Sequence, residues 1–271
     1  MAKFSKEVVV NRSPEEVYDF LLSADNFHFM PGIEKVEKVK EKAIFNILGS
    51  EKIPLIGLET VRYEIHIDKT EKPSLANFHT VDFMCSTKGS WRLTGEDGAT
   101  RLSYEVQYTV PGSFLGKVID KLLMENNMAK ESDEYLSSIQ LCLEKVEKVM
   151  TKDVVSVDVS TMVSEVTAKM DKTNIRYFPV TKDGKLVGVV TDGDILSKMY
   201  AYGPSSENSP VENLMTTGVK TIRTSASVLE AIKLLRENKI RRIPVLSENE
   251  ELVGIISATD LEAYLGMLKK K

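Results

Sequence analysis

Cysteine and histidine are scarce in this chain: two and three residues respectively out of 271. Cys85 and Cys142 stand far apart and match neither zinc nor disulfide spacing, so both are expected to be reduced, buried small hydrophobes. His28, His66 and His79 are scattered at no metal-binding interval. No stretch approaches the ~18 consecutive apolar residues of a membrane span, and MAKFSKEVVVNR holds no apolar leader core, so a cytoplasmic location is expected. Excess positive charge is also missing. The net charge is −4 and the only basic run, Lys269–Lys271, is explained by a solvated tail, which argues against a nucleic-acid partner. No Ser/His/Asp set or carboxylate pair stands out as catalytic. Pro111-Gly-Ser-Phe-Leu-Gly-Lys117 looks superficially like a phosphate loop. It is one residue short between its glycines and has Val118 after the lysine, so it is rejected.

What is present is a composition suited to buried cores, 42% hydrophobic and 28% charged, over a length that suggests two domains at roughly 100–200 residues each. The second half repeats itself. At an offset of 65, Val149-Met150-Thr151 falls on Leu214-Met215-Thr216, Val157 on Ile222, Glu165 on Glu230, Ile175-Arg176 on Ile240-Arg241 and Pro179-Val180 on Pro244-Val245. One extra residue, ENEE against KDGK, moves the offset to 66, and Leu186-Val187-Gly188 then matches Leu252-Val253-Gly254 and Asp194 matches Asp260. Each unit predicts a short strand (154–157; 219–222), then a helix (about 161–172; about 226–238) with Ser160 or Ser225 as its N-cap. Leu229, Ile232, Leu235 and Ile240 follow helical spacing and are expected to pack inward. Two strands follow, Phe178–Thr181 and Leu186–Thr191, joined by Lys182-Asp183-Gly184-Lys185, which is hairpin chemistry. A second helix starts near Asp194. A β-α-β-β-α unit this small has one helical layer for its sheet, so two are expected to pack sheet to sheet.

Both units resemble CBS domains, and together they resemble the paired arrangement called a Bateman module, over about 149–268. The resemblance rests on Met-Thr, Ile-Arg-x-x-Pro-Val, Leu-Val-Gly and Gly-h-h-[Thr/Ser]-x-x-Asp, all occurring twice in register. It implies adenosine nucleotide binding. In the segments Gly188–Asp194 and Gly254–Asp260 a strand ends on a hydroxyl residue and a helix starts with a carboxylate three residues on. Such a turn aims backbone N–H groups at a phosphate and offers a carboxylate to a ribose diol. The family roles carry over to Thr191 and Asp194 for one site, and to Ser257, Thr259 and Asp260 for the other. The same pattern is also an ordinary helix cap. Phosphate counter-charge is assigned by resemblance to Arg176 and to Arg241 with Arg242; base recognition to the backbone of Val154-Val155 and Val219-Lys220; and apolar walls to Ile175 and Ile240. The acidic pair Asp192 and Asp194 opposes a polyphosphate, so the Ser257–Asp260 site is expected to be the stronger. AMP, ADP, ATP and S-adenosylmethionine all remain open.

The first half has a different period. Lys3–Asn11 predicts a strand, and Ser13-Pro14-Glu15-Glu16 combines an N-cap, a proline at N1 and an acidic N3 for a helix through Val17, Phe20 and Leu21. Leu102, Tyr104, Val106, Tyr108 and Val110 alternate with polar residues, as do Val61–Ile67 and Trp91–Leu93 before the turn Glu96-Asp97-Gly98. After Pro111-Gly112, a helix to about Lys148 is predicted, with Leu115, Ile119, Leu122, Leu136, Ile139, Leu143 and Val146 as its stripe. This order, with Val8–Tyr18, Gly89-Ser90-Trp91-Arg92-Leu93 and the final helix, resembles the START-like (SRPBCC) fold in its polyketide cyclase/dehydrase and lipid-transport branch. That resemblance implies a curved sheet around a long helix and an apolar cavity between them; Phe27, Phe29, Phe83, Met84, Trp91, Met124 and Met128 are candidate lining, and plain core packing explains them equally well.

The expected architecture is therefore α+β: a helix-grip START-like domain at 1–148, CBS repeats at 149–202 and 214–271, and a linker at 203–213. The expected function is a regulatory sensor that binds an adenosine nucleotide in a homodimerising CBS pair and a hydrophobic small molecule or lipid in its N-terminal cavity. It needs no cofactor beyond that regulatory ligand. The rival readings are a cyclase, dehydratase or hydrolase in the START-like cavity under CBS control, and a CBS scaffold that only dimerises.

Overall fold

The computed structural model describes residues 2–23, 26, 33–38, 44–53, 57–81, 86–109, 125–203 and 207–268. Phe27, His28, Phe29, Phe83, Met84, Cys85, the segment 110–124 with its glycine-rich loop, and the tail 269–271 lie outside them, as does the side chain of Met128. The chain divides into two compact units, the first built on residues 1–144 and the second on 145–264.

The first unit is a seven-stranded antiparallel sheet in the order β1-β7-β6-β5-β4-β3-β2. Its strands are β1 (Ala2–Val10), β2 (Ile33–Lys38), β3 (Ile44–Ile53), β4 (Gly57–Glu71), β5 (Leu75–Val81), β6 (Ser86–Glu96) and β7 (Ala99–Thr109). Helix α1 (Pro14–Leu21) starts as predicted. Ser13 accepts from the Glu16 N–H, the Glu16 carboxylate accepts from the Ser13 N–H at 2.9 Å, and Pro14 opens the first turn. The β6–β7 hairpin turns on Asp97 and Gly98, both at positive φ (40° and 82°), which is the backbone a tight two-residue hairpin requires. Alternation along β7 is realised: Leu102, Val106 and Tyr108 are buried with Trp91 and Leu93 of β6.

The expected helix to Lys148 is interrupted. Helix α2 (Glu125–Leu143) buries Leu136, Ile139, Cys142 and Leu143, and ends there. Its last carbonyl accepts from Arg12 Nε at 2.7 Å, and Lys145 is extended (φ −75°, ψ 140°) before a separate short helix α3 (Val146–Val149). Lys145 pairs as a β-bridge with Ser227, and the Val146 N–H donates to the Ala226 carbonyl at 2.9 Å. Those backbone bonds stand in for the continued helix.

The second unit contains two β/α repeats. The first has β8 (Val157–Asp158), α4 (Val163–Thr173), β9 (Tyr177–Lys182), β10 (Lys185–Thr191) and α5 (Asp192–Tyr202); the second has β11 (Ile222–Arg223), α6 (Val228–Glu237), β12 (Arg242–Leu246), β13 (Leu252–Ser257) and α7 (Ala258–Leu268). Each sheet places its middle strand parallel to the short first strand and antiparallel to the third. The predicted first strands 154–157 and 219–222 are only two residues long and sit later, because just Val157–Asp158 and Ile222–Arg223 find a partner strand. The helix caps also move. Ser160 binds the Asp158 carboxylate through its hydroxyl (2.6 Å) and N–H (2.9 Å), which holds that carboxyl below the usual carboxylate range. Ser225 donates to Glu248 at 2.9 Å. The N-caps are instead Met162, with no side-chain cap, and Ser227, which forms a full capping box with Glu230. Leu229 and Leu235 are buried as expected, while Ile232 and Ile240 are half-buried. The Asp183-Gly184 turn, at φ 49° and 76°, closes the first hairpin. In the second hairpin the longer loop is tied by the Ser247 hydroxyl, which accepts from the N–H groups of Asn249 and Glu251.

Residues between the repeats are packed. Val211 and Leu214 belong to the first repeat's core with Val163, Val166, Met170, Phe178, Val180 and Ile195, and the Val163 N–H donates to the Ser209 carbonyl at 3.0 Å. Each repeat's leading Met-Thr pair is seated on the other repeat. Thr151 exchanges both backbone bonds with Ile255 of β13 (2.9 and 3.0 Å), and Thr216 does the same with Val189 of β10 (2.8 and 3.0 Å).

Candidate functional site

The local chemistry of the two strand-to-helix turns is set by their hydroxyl-x-x-Asp spacing. At the end of β10, Thr191 caps α5: its Oγ1 accepts from the Asp194 N–H at 3.1 Å, and Asp194 Oδ2 accepts from the Thr191 N–H (2.8 Å) and hydroxyl (2.7 Å). At the end of β13, Ser257 and Asp260 repeat this at 3.3, 2.7 and 2.5 Å. The capping arrangement that the sequence pattern allowed is thus formed at both turns. Each carboxylate has a second oxygen, and in both cases it accepts a hydroxyl from the opposite repeat's Met-Thr leader. Thr216 donates to Asp194 Oδ1 at 3.2 Å and Thr151 donates to Asp260 Oδ1 at 2.8 Å. Neither bond was anticipated from the sequence. The duplicated Met-Thr motif was the signal, but its partner lies in the other repeat.

Two glycines make this cross-seating sterically possible. A Cβ on Gly254 would fall 2.3 Å from Met150 Sδ, and one on Gly188 would fall 2.7 Å from Met215 Sδ and 2.9 Å from the Thr216 carbonyl oxygen. The Gly-h-h part of the motif therefore clears room for the neighbour's methionine and backbone.

The turns differ in charge. The first helix N-terminus begins with Asp192, whose carboxylate accepts from the Gly193 N–H at 2.9 Å, while the Asp192 N–H reaches the Arg176 carbonyl at 3.4 Å. The corresponding residues in the second are Ala258 and the exposed Thr259, and no described side chain caps their N–H groups. Arg176 is exposed and paired with Asp171 at 3.0 Å. Arg241 and Arg242 are exposed; Arg242 stands opposite Ser257 in the ladder, with its guanidinium 5.6 Å from the centre of the Tyr177 ring. Tyr177 occupies the equivalent place in the first repeat, opposite Thr191. Burial lifts its phenol far above the ordinary range, against a smaller opposing pull from Arg242. Arg242, read from sequence as belonging to the Ser257 turn, thus reaches across to the first repeat.

Val154, Val155 and Val219 are half-buried, Lys220 and Ile175 are exposed, and Ile240 is half-buried. The segments 154–156 and 219–221 lie outside the strand ladders. In the first, Lys169 Nζ donates to the Ser156 carbonyl at 3.0 Å and lies 5.5 Å from the centre of the Phe178 ring.

In the N-terminal unit, the buried face of the sheet carries an aromatic group. Phe78 stacks on Trp91 with ring centres 4.3 Å apart, and Tyr104 meets Tyr135 of α2 at 5.6 Å. Among the described residues no three His, Cys, Asp or Glu side chains are grouped to hold a metal, and no helix is long and apolar enough to cross a membrane.

Comparison with known proteins agrees with both halves. The family model for "Polyketide cyclase / dehydrase and lipid transport" matches residues 1–144, and that for the CBS domain matches 146–201 and 211–266. An uncharacterized protein of Methanocaldococcus jannaschii is 34% identical over 119 residues, covering 43% of this chain and 42% of that protein's own length. The CBS domain-containing protein YhcV of Bacillus subtilis is 31% identical over 119 residues, covering 44% of this chain and 84% of YhcV. Among solved structures, CBSX2 in complex with AMP is 28% identical, covering 46% of this chain and 98% of that one at a TM-score of 0.42. The chain belongs to the polyketide cyclase/dehydrase and lipid-transport family through residues 1–144, and residues 146–201 and 211–266 are a pair of CBS domains.

Proposed function

We propose that this is a regulatory protein of the cytoplasm whose CBS pair binds an adenosine nucleotide (AMP, ADP, ATP or S-adenosylmethionine) and whose N-terminal domain binds a hydrophobic small molecule or lipid. The observation that carries the nucleotide reading is the state of the two carboxylates. Oδ2 of Asp194 and of Asp260 is committed to the helix cap, whereas Oδ1 holds a single threonine hydroxyl. A ribose diol offers the same donor chemistry, so it replaces that hydroxyl with little loss. The unladdered segments 154–156 and 219–221 leave backbone groups for an adenine edge, and the arginines 176, 241 and 242 supply cations for phosphate. The stronger site is the one at Ser257 and Asp260, where no acidic side chain occupies the first turn beyond the cap itself.

A homodimer through the CBS pair fits the same reading. On α5, Leu196 and Tyr200 are one turn apart and 66% and 96% exposed, an apolar pair suited to a two-fold contact.

Titration calorimetry of the full chain with AMP, ADP, ATP and S-adenosylmethionine tests the proposal. At least one is expected to bind, with Asp260→Ala weakening it by about tenfold or more, the scale of a lost charge-assisted hydrogen bond, and Asp194→Ala weakening it less. No heat from any of the four, with Asp260→Ala indistinguishable from the parent, leaves the dimerisation scaffold.

A further inference from the structure

Ser156 stands immediately before β8 and Thr221 immediately before β11, so the two residues are equivalent in the repeats. Their partners are not. Lys169 of α4 corresponds to Leu234 of α6 at the offset of 65. Half-buried Lys169 donates from Nζ to the Ser156 carbonyl at 3.0 Å and lies 5.5 Å from the centre of the buried Phe178 ring. Leucine carries no donor, so Leu234 cannot make the matching bond to Thr221.

The 6-amino group of an adenine would bring a neutral N–H to a carbonyl of this kind. At Ser156 that place is held by an ammonium, whose charge-assisted bond is the stronger one, and the ring face steadies the ammonium in turn. Displacing it costs about ten- to a hundredfold in affinity. Sharing the oxygen is no escape, since the amino group and the ammonium would press like partial charges together.

The phosphate end of the first repeat is filled in the same manner. The Asp192 carboxylate accepts from the Gly193 N–H at 2.9 Å, and the Arg176 guanidinium is paired with Asp171 at 3.0 Å. A carboxylate on the opening turn uses a donor that a phosphate needs and repels the phosphate as well. The second repeat has Ala258 in place of Asp192, and Arg241 with Arg242 in place of Arg176 with Tyr177. The ribose carboxylates do not separate the repeats, because Asp194 and Asp260 are bonded alike.

We infer that the CBS pair takes one nucleotide per chain, at the Ser257–Asp260 turn, and that Lys169 and Asp192 close the first repeat's site with the chain's own charges. This rests on the nucleotide reading of the pair. Lys169 stands where the base would be read and Asp192 where the phosphate would sit, so both ends of the first site are occupied from within. The pair then responds to nucleotide along a one-site curve.

Titration calorimetry of the full chain, carried to saturation with each of AMP, ADP, ATP and S-adenosylmethionine, counts the sites. One equivalent per chain is expected from whichever of the four bind, with its affinity falling about tenfold or more on Asp260→Ala. Lys169→Leu combined with Asp192→Ala puts the second repeat's residues into the first and is expected to admit a second equivalent. Two equivalents in the unsubstituted chain overturn the inference, and that count needs no variant to fold. A single equivalent indifferent to Asp260→Ala overturns it as well. One equivalent in a double variant whose circular dichroism matches the parent overturns the closing role of Lys169 and Asp192. Binding of none of the four overturns the nucleotide reading itself and the single site with it.

Discussion

The two CBS repeats follow one plan and are finished differently. At the first helix of each, the second repeat has Ser227 and Glu230 in a full capping box, whereas the first has Met162, 41% exposed, with no side-chain cap above an otherwise suitable Glu165. At the strand-to-helix turn, the first repeat spends its leading N–H groups on Asp192 and on the Arg176 carbonyl, while the second keeps Ala258 and Thr259 there. At the residue opposite the cap, Tyr177 is answered by Arg242, and the two touch. The cross-seated scaffold is the same in both repeats, and the residues at the proposed nucleotide turns differ.

The widest expected difference lies at the glycines. A Cβ at Gly188 meets the Thr216 carbonyl, which is backbone and cannot step aside; at Gly254 the three nearest atoms all belong to the flexible Met150 side chain, though the first of them lies closer. Gly188→Ala is expected to cost about 1–3 kcal/mol, as overpacking does, and Gly254→Ala less than half of that on the same scale. Urea unfolding of the full-length variants checks the order, and a reversed order would show that the Met150 sulfur is the more rigid obstacle.

A middle-sized effect separates the caps. Ser227→Ala is expected to lose about 1 kcal/mol, and Met162→Ser to gain about 0.5–1 kcal/mol by building the missing capping box with Glu165. Thermal denaturation of both variants reads the two signs; a loss for Met162→Ser would mean that the methionine's packing matters more than the cap. The smallest effect is at the contact between the repeats. Arg242→Leu removes a cation from the Tyr177 ring and is expected to cost about 0.5–1 kcal/mol, with a larger loss of nucleotide affinity in calorimetry. Unchanged affinity would assign Arg242 to structure alone.

Local signals were read from the sequence where both partners were close together. Ser13 and Glu16 are three residues apart, and Asp183-Gly184 carries its turn in its own backbone. The interruption after α2 was not legible, because Leu136, Ile139, Leu143 and Val146 keep helical phase across it while the breaking residue, Lys145, finds its partner Ser227 far along the chain. Ser160 and Ser225 were plausible caps until competing carboxylates, Asp158 and Glu248, were placed beside them. The Ser-x-x-Glu signature at 227–230 stood in the sequence and would have located the correct cap. At the candidate site the residues of each turn were identified as sets, but the Thr216–Asp194, Thr151–Asp260 and Arg242–Tyr177 contacts cross between repeats, and periodicity has no view of them.

The exchanged Met-Thr leaders also set an order of assembly during synthesis. Thr216 follows its partner Asp194 by 22 residues, so this contact is expected to close early. Thr151 must wait through 109 residues for Asp260, near the end of the chain. Until then its leader has no strand to lie on, and the long closure it awaits is the slow kind. A chain that stops before β13 is therefore expected to leave the Thr151 leader without its strand, and limited proteolysis of such a truncation checks this.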